Sequence, residues 1–328
     1  MLAELSPSAA GPASQPGEPP PLFVVINAGS GEHDALHTQS VLAEVFEGAG
    51  RRTEFVRVAD PQDLPQACEG AARRAREQGG VLVVAGGDGT INAAAAAALR
   101  HRCAMAVIPQ GTFNYLAREH GIPLQARAAA QALLAARMQP VQVGLVNGRV
   151  FLVNASLGLY PQLLQDREAF KSRLGRHRWV AMLAALGTVF RWRRQLALDV
   201  ELDGARASVT TTTLFVGNNR LQVEQVGLDE GVAQRTGRGR LAGVVTRPIG
   251  PWALLALAVR GALGRLGETD QVHDFSFHEL QVSVRGARRV KVATDGEVQW
   301  LAAPLRFAAA PEPLRLMLPA PQDRVPRE

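Results

Sequence analysis

Three short stretches combine glycine with amide or hydroxyl side chains directly after apolar runs: "NAGSG" (27–31), "GGDGT" (86–90) and "PQGTFN" (109–114). Glycines let main-chain N–H groups approach a phosphate with no side chain in the way, and a helix opening at such a loop adds its positive end. Thr90 and Thr112 can donate hydroxyl hydrogen bonds to the same oxygens. A carboxylate inside an anion nest is unfavourable unless a metal or a proton transfer uses it. Asp88 is therefore the first residue to which chemistry is assigned.

The elements that position these loops follow from periodicity. From Leu22 to about Gln139, apolar strands alternate with amphipathic helices: "LFVVI", "TEFVRV", "VLVVA" and "AMAVI" read as strands, and Val41, Leu42, Val45, Phe46 and Ala49 recur at helical spacing. Asp60 reads as an N-cap, with Pro61 at the first helical position. Strict alternation implies a parallel sheet covered on both faces, and in such sheets ligands bind at the carboxyl ends of the strands. The three loops then share one rim. After Gln139 the texture becomes antiparallel, with hairpins expected at Asn147-Gly148 and Asp203-Gly204. The predicted organisation is a leader (1–20), an α/β domain (21–140) completed by a strand from 305–320, a β-rich domain (141–304) and a tail (321–328).

Composition narrows the class. The 328 residues are 47% hydrophobic and 20% charged, with a net charge of +6, which describes a globular chain that favours anions. The leader is small, polar and Pro-rich and reads as disordered. Cys68 and Cys103 read as reduced core residues, in keeping with a cytoplasmic setting. No apolar run reaches the roughly 18 residues of a membrane span. The stretch 171–194 surrounds an apolar centre with arginines and places Trp179 and Trp192 at its junctions, a pattern suited to an interfacial helix on an anionic membrane. Residues 251–263 are a second apolar segment, read as a core helix or part of an acyl-chain pocket. No nucleic-acid reading motif accompanies the basic residues, so no nucleic-acid partner is expected.

"GGDGT" and "IPQGTFNYLAR", with an Asn-led Gly loop upstream and "TDGE" (294–297) downstream, resemble the diacylglycerol kinase catalytic-domain family, which extends to bacterial soluble lipid kinases and, more distantly, sphingosine kinases. The resemblance runs from about Leu22 to Trp300. It implies a Rossmann-like parallel α/β domain that binds ATP with Mg²⁺, an antiparallel β-sandwich domain, and an active site in the cleft. Carried over residue by residue, Asn27, Gly29, Ser30, Gly31, Gly86, Gly87, Asp88, Gly89, Thr90, Asn92, Gly111, Thr112 and Asn114 would hold the nucleotide. Glu297, with Asp295 beside it, would take the proton from a lipid hydroxyl, and Asp88 is the competing base. The implied activity is phosphorylation of a membrane lipid such as diacylglycerol, at the inner face of a membrane. The alternatives are an NAD kinase-like or other small-alcohol kinase and a non-catalytic nucleotide or lipid sensor.

One departure stands out. Soluble bacterial members of that family carry an Asp-Asp-Gly stretch whose aspartate helps to hold a structural Mg²⁺. The matching stretch here is "TGRGRLAGVV", with Gly237 and Arg238 at the acidic positions. Arg238 cannot ligate a cation. The expectation is that this metal is absent or is rebuilt with Asp229 or Glu230.

Overall fold

The computed structural model describes residues 19–29, 32–158, 195–225, 227–247 and 271–326. Residues 1–18 of the expected leader, Ser30, Gly31, the stretches 171–194 and 251–263, and the last two residues of the expected tail lie outside them. The chain divides into two compact units, 1–140 with 314–328, and 141–313.

In the first unit, β1 (Leu22–Asn27), β3 (Val81–Gly86) and β4 (Ala104–Pro109) are apolar runs buried along almost their whole length. Continuous burial is what a parallel strand covered on both faces requires. Parallel pairing sets β2 (Thr53–Val58) and β3 on either side of β1, and β4 beside β3. The covering helices are α1 (Glu32–Gly48), α2 (Leu64–Glu77), α3 (Asp88–His101) and α5 (Ala126–Leu134), with a short α4 (Tyr115–Glu119) between them. Ala94, Ala95, Ala97 and Ala98 of α3 are buried, and their small side chains let that helix lie close to the sheet. Asp60 caps the turn ahead of α2, accepting from the Gln62 N–H at 2.9 Å, with Pro61 following as expected.

The sheet is finished by the chain's far end. Its order is β2-β1-β3-β4-β18-β5, where β5 is Arg137–Val141 and β18 is Leu314–Leu318. β18 runs parallel to β4 and buries Leu314, Leu316 and Leu318. Of the segment 305–320 expected to return, only this later part does so. Residues Leu305–Ala309 (β17) pair within the second unit.

The second unit holds two six-stranded sheets. One has the order β10-β9-β14-β17-β6-β7, built from β6 (Gly144–Val146), β7 (Arg149–Phe151), β9 (Leu196–Leu202), β10 (Ala205–Thr211), β14 (Glu279–Val284) and β17. The other has the order β13-β12-β11-β8-β15-β16, built from β8 (Asn154–Gly158), β11 (Thr213–Gly217), β12 (Leu241–Thr246), β13 (Val272–Phe277), β15 (Arg289–Thr294) and β16 (Glu297–Ala302). Neighbouring strands are antiparallel, and both sheets feed one core that contains Phe151, Leu157, Phe277, Leu280 and Phe307. This is the sandwich that the sequence implied. Hairpins turn at Asn147-Gly148, Asp203-Gly204 and Asp295-Gly296, and all six of these residues have positive φ. Such turns match the twist of the flanking strands, which is why Asn, Asp and Gly stand there. Two short helices, α6 (Arg220–Gln225) and α7 (Glu230–Arg235), connect β11 to β12.

Because Leu316 is fully buried in a strand between β4 and β5, Leu316→Ala is expected to destabilise the first unit by about 2–4 kcal/mol. Denaturant unfolding followed by a probe in that unit measures this.

Candidate functional site

Parallel register puts the carboxyl ends of β1, β3 and β4 on one rim: Ile26 pairs with Ala85, and Gly86 with Pro109. The three loops that leave these ends are bonded to one another. Asn27 Nδ2 donates to Thr90 Oγ1 at 2.8 Å, which joins the first loop to the second. Gln110 donates its main-chain N–H to Gly86 O at 2.9 Å, and its side chain to Thr38 Oγ1 at 2.6 Å. A Cβ on Gly111 would lie 2.9 Å from Gly87 Cα, so the second and third loops meet backbone to backbone. At Gly86 a Cβ would collide with Thr90. Glycine is needed at both places for this close approach.

Asp88 opens α3 and is half-buried. Its Oδ2 accepts from Asn114 N at 3.0 Å and its Oδ1 from Tyr115 N at 3.2 Å. The carboxylate therefore spans from the second loop to the start of α4. Burial pushes its pKa above the ordinary carboxyl value, and the two main-chain donors partly offset this. Asn114 has φ 50° and folds its side chain back on the loop, accepting from Gly111 N at 2.9 Å and donating to Gly111 O at 2.6 Å. Gly29 N donates to Asn27 Oδ1 at 3.0 Å.

These contacts sort the residues expected to hold a nucleotide. Thr90 and Asn114 are buried and shape the loops, and Asn27 is committed to Thr90. The α4 terminus, expected to add a positive end, directs its N–H groups at Asp88 instead. Gly87, Gly89 and Asn92 are half-exposed around the first turn of α3, which no side chain caps, while Gly29 and Thr112 face solvent. An uncapped first turn offers its main-chain N–H groups to an anion.

The second acidic cluster lies in the second unit. Asp295 sits at φ 47° in the hairpin between β15 and β16, and its carboxylate collects three main-chain donors: Leu152 N at 2.7 Å, Val153 N at 2.9 Å and Asn154 N at 3.0 Å. Asp295 N in turn donates to Asn154 O at 2.9 Å. Its oxygens pin the bend between β7 and β8. Glu297, the first residue of β16, pairs with Thr294 across the hairpin, and its exposed side chain makes no hydrogen bond or ion pair among the described residues.

The expected structural cation does not fit. Gly237 stands in a left-handed turn with Arg238 next to it. Asp229 caps α7, accepting from Val232 N at 3.2 Å while its own N–H donates to Asp274 Oδ2 at 2.6 Å, and Glu230 accepts from Gln234 Nε2 at 2.9 Å, so these acids are engaged by protein donors. Among the described residues no group of three His, Cys, Asp or Glu side chains converges. Sequence reasoning also passed over Gln142, Asn218 and Asn154, polar residues packed around the bend at 152–153. The signal for them was the run Gly217-Asn218-Asn219 at the end of an apolar strand, where buried amides need partners.

Comparison with known proteins gives a consistent picture. A family model described as the diacylglycerol kinase catalytic domain matches residues 21–146. A Pseudomonas putida KT2440 protein named "Probable lipid kinase YegS-like" is 30% identical over 248 residues, 73% of this chain and 77% of that protein. The "Diacylglycerol kinase" of Bacillus subtilis 168 is 30% identical over 189 residues, 55% of this chain and 59% of that one. A YegS-like relative from Pseudomonas aeruginosa UCBPP-PA14 is 43% identical over 97 residues, 27% of this chain, and the match spans 32% of that relative's length. A crystal structure of a diacylglycerol kinase from Bacillus anthracis Sterne superposes with a TM-score of 0.67 at 18% identity, covering 92% of this chain and 98% of that one. At that identity the likeness concerns the fold.

Two outcomes follow. Asp295→Ala strands three buried N–H groups and is expected to cost about 2–4 kcal/mol in the second unit, measured by chemical denaturation. Asp88 has a raised folded-state pKa, so its contribution to stability is fully present below the unfolded value, near 3.8, and is lost as pH rises through the folded value. Asp88→Asn removes that loss, so the stability of the variant minus that of wild type should increase from about pH 3 toward neutrality. A pH series of denaturation curves would show a flat difference if burial of Asp88 carried no such penalty.

Proposed function

The chain belongs to the diacylglycerol kinase catalytic-domain family, and from that premise we propose that it transfers the γ-phosphate of ATP to the hydroxyl of a membrane lipid such as diacylglycerol. The observation that supports this most is the bonded set of three glycine loops on one rim of a parallel sheet. Gly29, Gly87, Gly89, Asn92 and Thr112 are the residues through which the loops would meet the nucleotide. Asn27, Gly86, Asp88, Thr90, Gly111 and Asn114 hold the loops in shape. Mg²⁺ carried with the nucleotide supplies charge neutralisation on the phosphates, which provide most of its ligands.

Phosphoryl transfer also needs an acceptor for one proton. Asp88 and Asp295 both spend carboxylate lone pairs on main-chain N–H groups. Glu297 does not. In the reading we adopt, Glu297 takes the hydroxyl proton as the lipid oxygen bonds to the γ-phosphorus and the bond to the β-phosphate oxygen breaks, releasing ADP. Asp295 holds the hairpin from which Glu297 projects, and Asp88 ties two nucleotide loops together. A lipid acceptor makes a membrane surface the place of reaction. The net charge of +6 favours anionic head groups there, in keeping with a cytoplasmic protein at the inner face. No helix among the described residues is long and apolar enough to cross a membrane.

The test is transfer of labelled phosphate from ATP to a total lipid extract, resolved by chromatography. Wild-type protein should label a lipid band. Glu297→Gln should lower kcat by about 10²–10⁴-fold with the unfolding midpoint unchanged. Labelling at the wild-type rate by this variant removes Glu297 from the reaction, and label appearing only in a water-soluble alcohol replaces the lipid acceptor.

A further inference from the structure

The turn that carries Gly237 and Arg238 is held in place by a side chain from a distant part of the sequence. Gln142 Oε1 accepts from Gly239 N at 2.6 Å, and Gln142 Nε2 donates to Arg240 O at 3.0 Å and to Asn218 Oδ1 at 2.9 Å. Asn218, itself buried, donates through Nδ2 to Leu152 O at 2.8 Å and to Gln142 O at 3.3 Å, and its N–H reaches Val153 O at 2.8 Å. Leu152 and Val153 are two of the three residues whose N–H groups Asp295 collects. A continuous set of hydrogen bonds thus leads from the turn, through two neutral amides, to the bend and on to the Asp295 hairpin that begins Glu297.

A divalent cation would need several oxygen atoms with free lone pairs converging on one point. Here Asn218 Oδ1 and Gln142 Oε1 are each turned toward an N–H donor, and both hydrogens of each NH₂ group are used, so protein partners fix the orientation of both amides. Arg235, Arg238 and Arg240 place three positive charges within six residues. The first and last of them are anchored on Ser276, through its Oγ at 2.9 Å and its main-chain oxygen at 3.3 Å. Arg240 also lies 3.9 Å from Asp203 Oδ2, and Asp274 accepts from Asp229 N at 2.6 Å, so the acids near this turn are engaged by protein groups, and the amides do the joining that a cation would do.

We infer that Gln142 and Asn218 are positioning residues that replace the family's structural cation: they seat the bend beneath the Asp295–Glu297 hairpin, and this part of the protein is built without a divalent ion. The kinetic side of this inference rests on Glu297 as the base; the structural side does not.

Full-length, nucleotide-free protein is compared in EDTA and in excess MgCl₂. The thermal midpoint should be the same in both, and a rise of more than about 2 °C with Mg²⁺ overturns the cation-free reading. Gln142→Ala, and the near-isosteric Gln142→Glu, which loses both donors, should each speed hydrogen exchange at the main-chain N–H groups of residues 152–154 by about tenfold or more. Each should also lower kcat by about tenfold while leaving KM for ATP unchanged. Unaltered exchange and unaltered kcat in Gln142→Ala overturn the positioning role. If the variants do not fold, the EDTA and MgCl₂ comparison on wild type still decides the cation question. If wild type labels no lipid, the functional reading falls, while midpoint and exchange continue to decide this one.

Discussion

Capture of main-chain N–H groups by a buried or half-buried carboxylate is the interaction on which both units turn. A loop that bends sharply leaves several N–H groups pointing to one side with no strand or helix partner, and each would be costly if buried unpaired. One carboxylate can accept several of them, and ionic hydrogen bonds of this kind are stronger than neutral ones. Asp88 does this for the start of α4, and Asp295 does it for the bend between β7 and β8. In each case the acid comes from an element remote in sequence, so one side chain fixes how two segments meet. The glycine contacts on the sheet rim depend on the first capture. Gly87 and Gly111 meet where the Gln110 N–H bond to Gly86 O and the Asp88 bonds to Asn114 and Tyr115 together draw the third loop to the second.

The same interaction changes how acids in such motifs are read. From sequence, a carboxylate among glycines looks reactive because nothing nearby neutralises it. In three dimensions the neutralising groups are main-chain amides, which carry no residue-specific signal. Asp88, Asp295 and Glu297 are equally conspicuous in the sequence. What separates them is how many N–H groups each accepts, and that is a property of the fold. An acid whose oxygens already accept two or three main-chain N–H groups is placed to act as a strut between the segments it joins.

Most of the architecture was legible for the same reason that this distinction was not. Buried parallel strands announce themselves as continuous apolar runs, as "LFVVI" and "VLVVA" do, and the Asn147-Gly148 and Asp203-Gly204 pairs announce hairpins because few other residues tolerate positive φ twice in succession. The shared rim of the three loops followed from parallel order alone. What stayed hidden required pairing over long separations. A strand from 305–320 was expected to complete the first unit, yet Leu305–Ala309 and Leu314–Leu318 serve different units. Thr90 reads as a free hydroxyl, yet Asn27, 63 residues earlier, occupies it. Helices α6 and α7 are six residues each, too short for a periodicity to register.

The departure at Gly237 and Arg238 shows why a motif position and a motif function are separable. Losing an acid that would ligate a cation does not by itself loosen a site, because the physical requirement is that the turn at 237–240 and the bend at 152–153 be joined. Two neutral amides meet that requirement with directional bonds and no desolvation of a full charge. Each amide offers two donors and an acceptor, so Gln142 and Asn218 together satisfy main-chain groups on both sides of the gap. Joining two segments through amides has a geometric cost: amides tolerate little change in the spacing they bridge, whereas a cation can exchange a protein ligand for water.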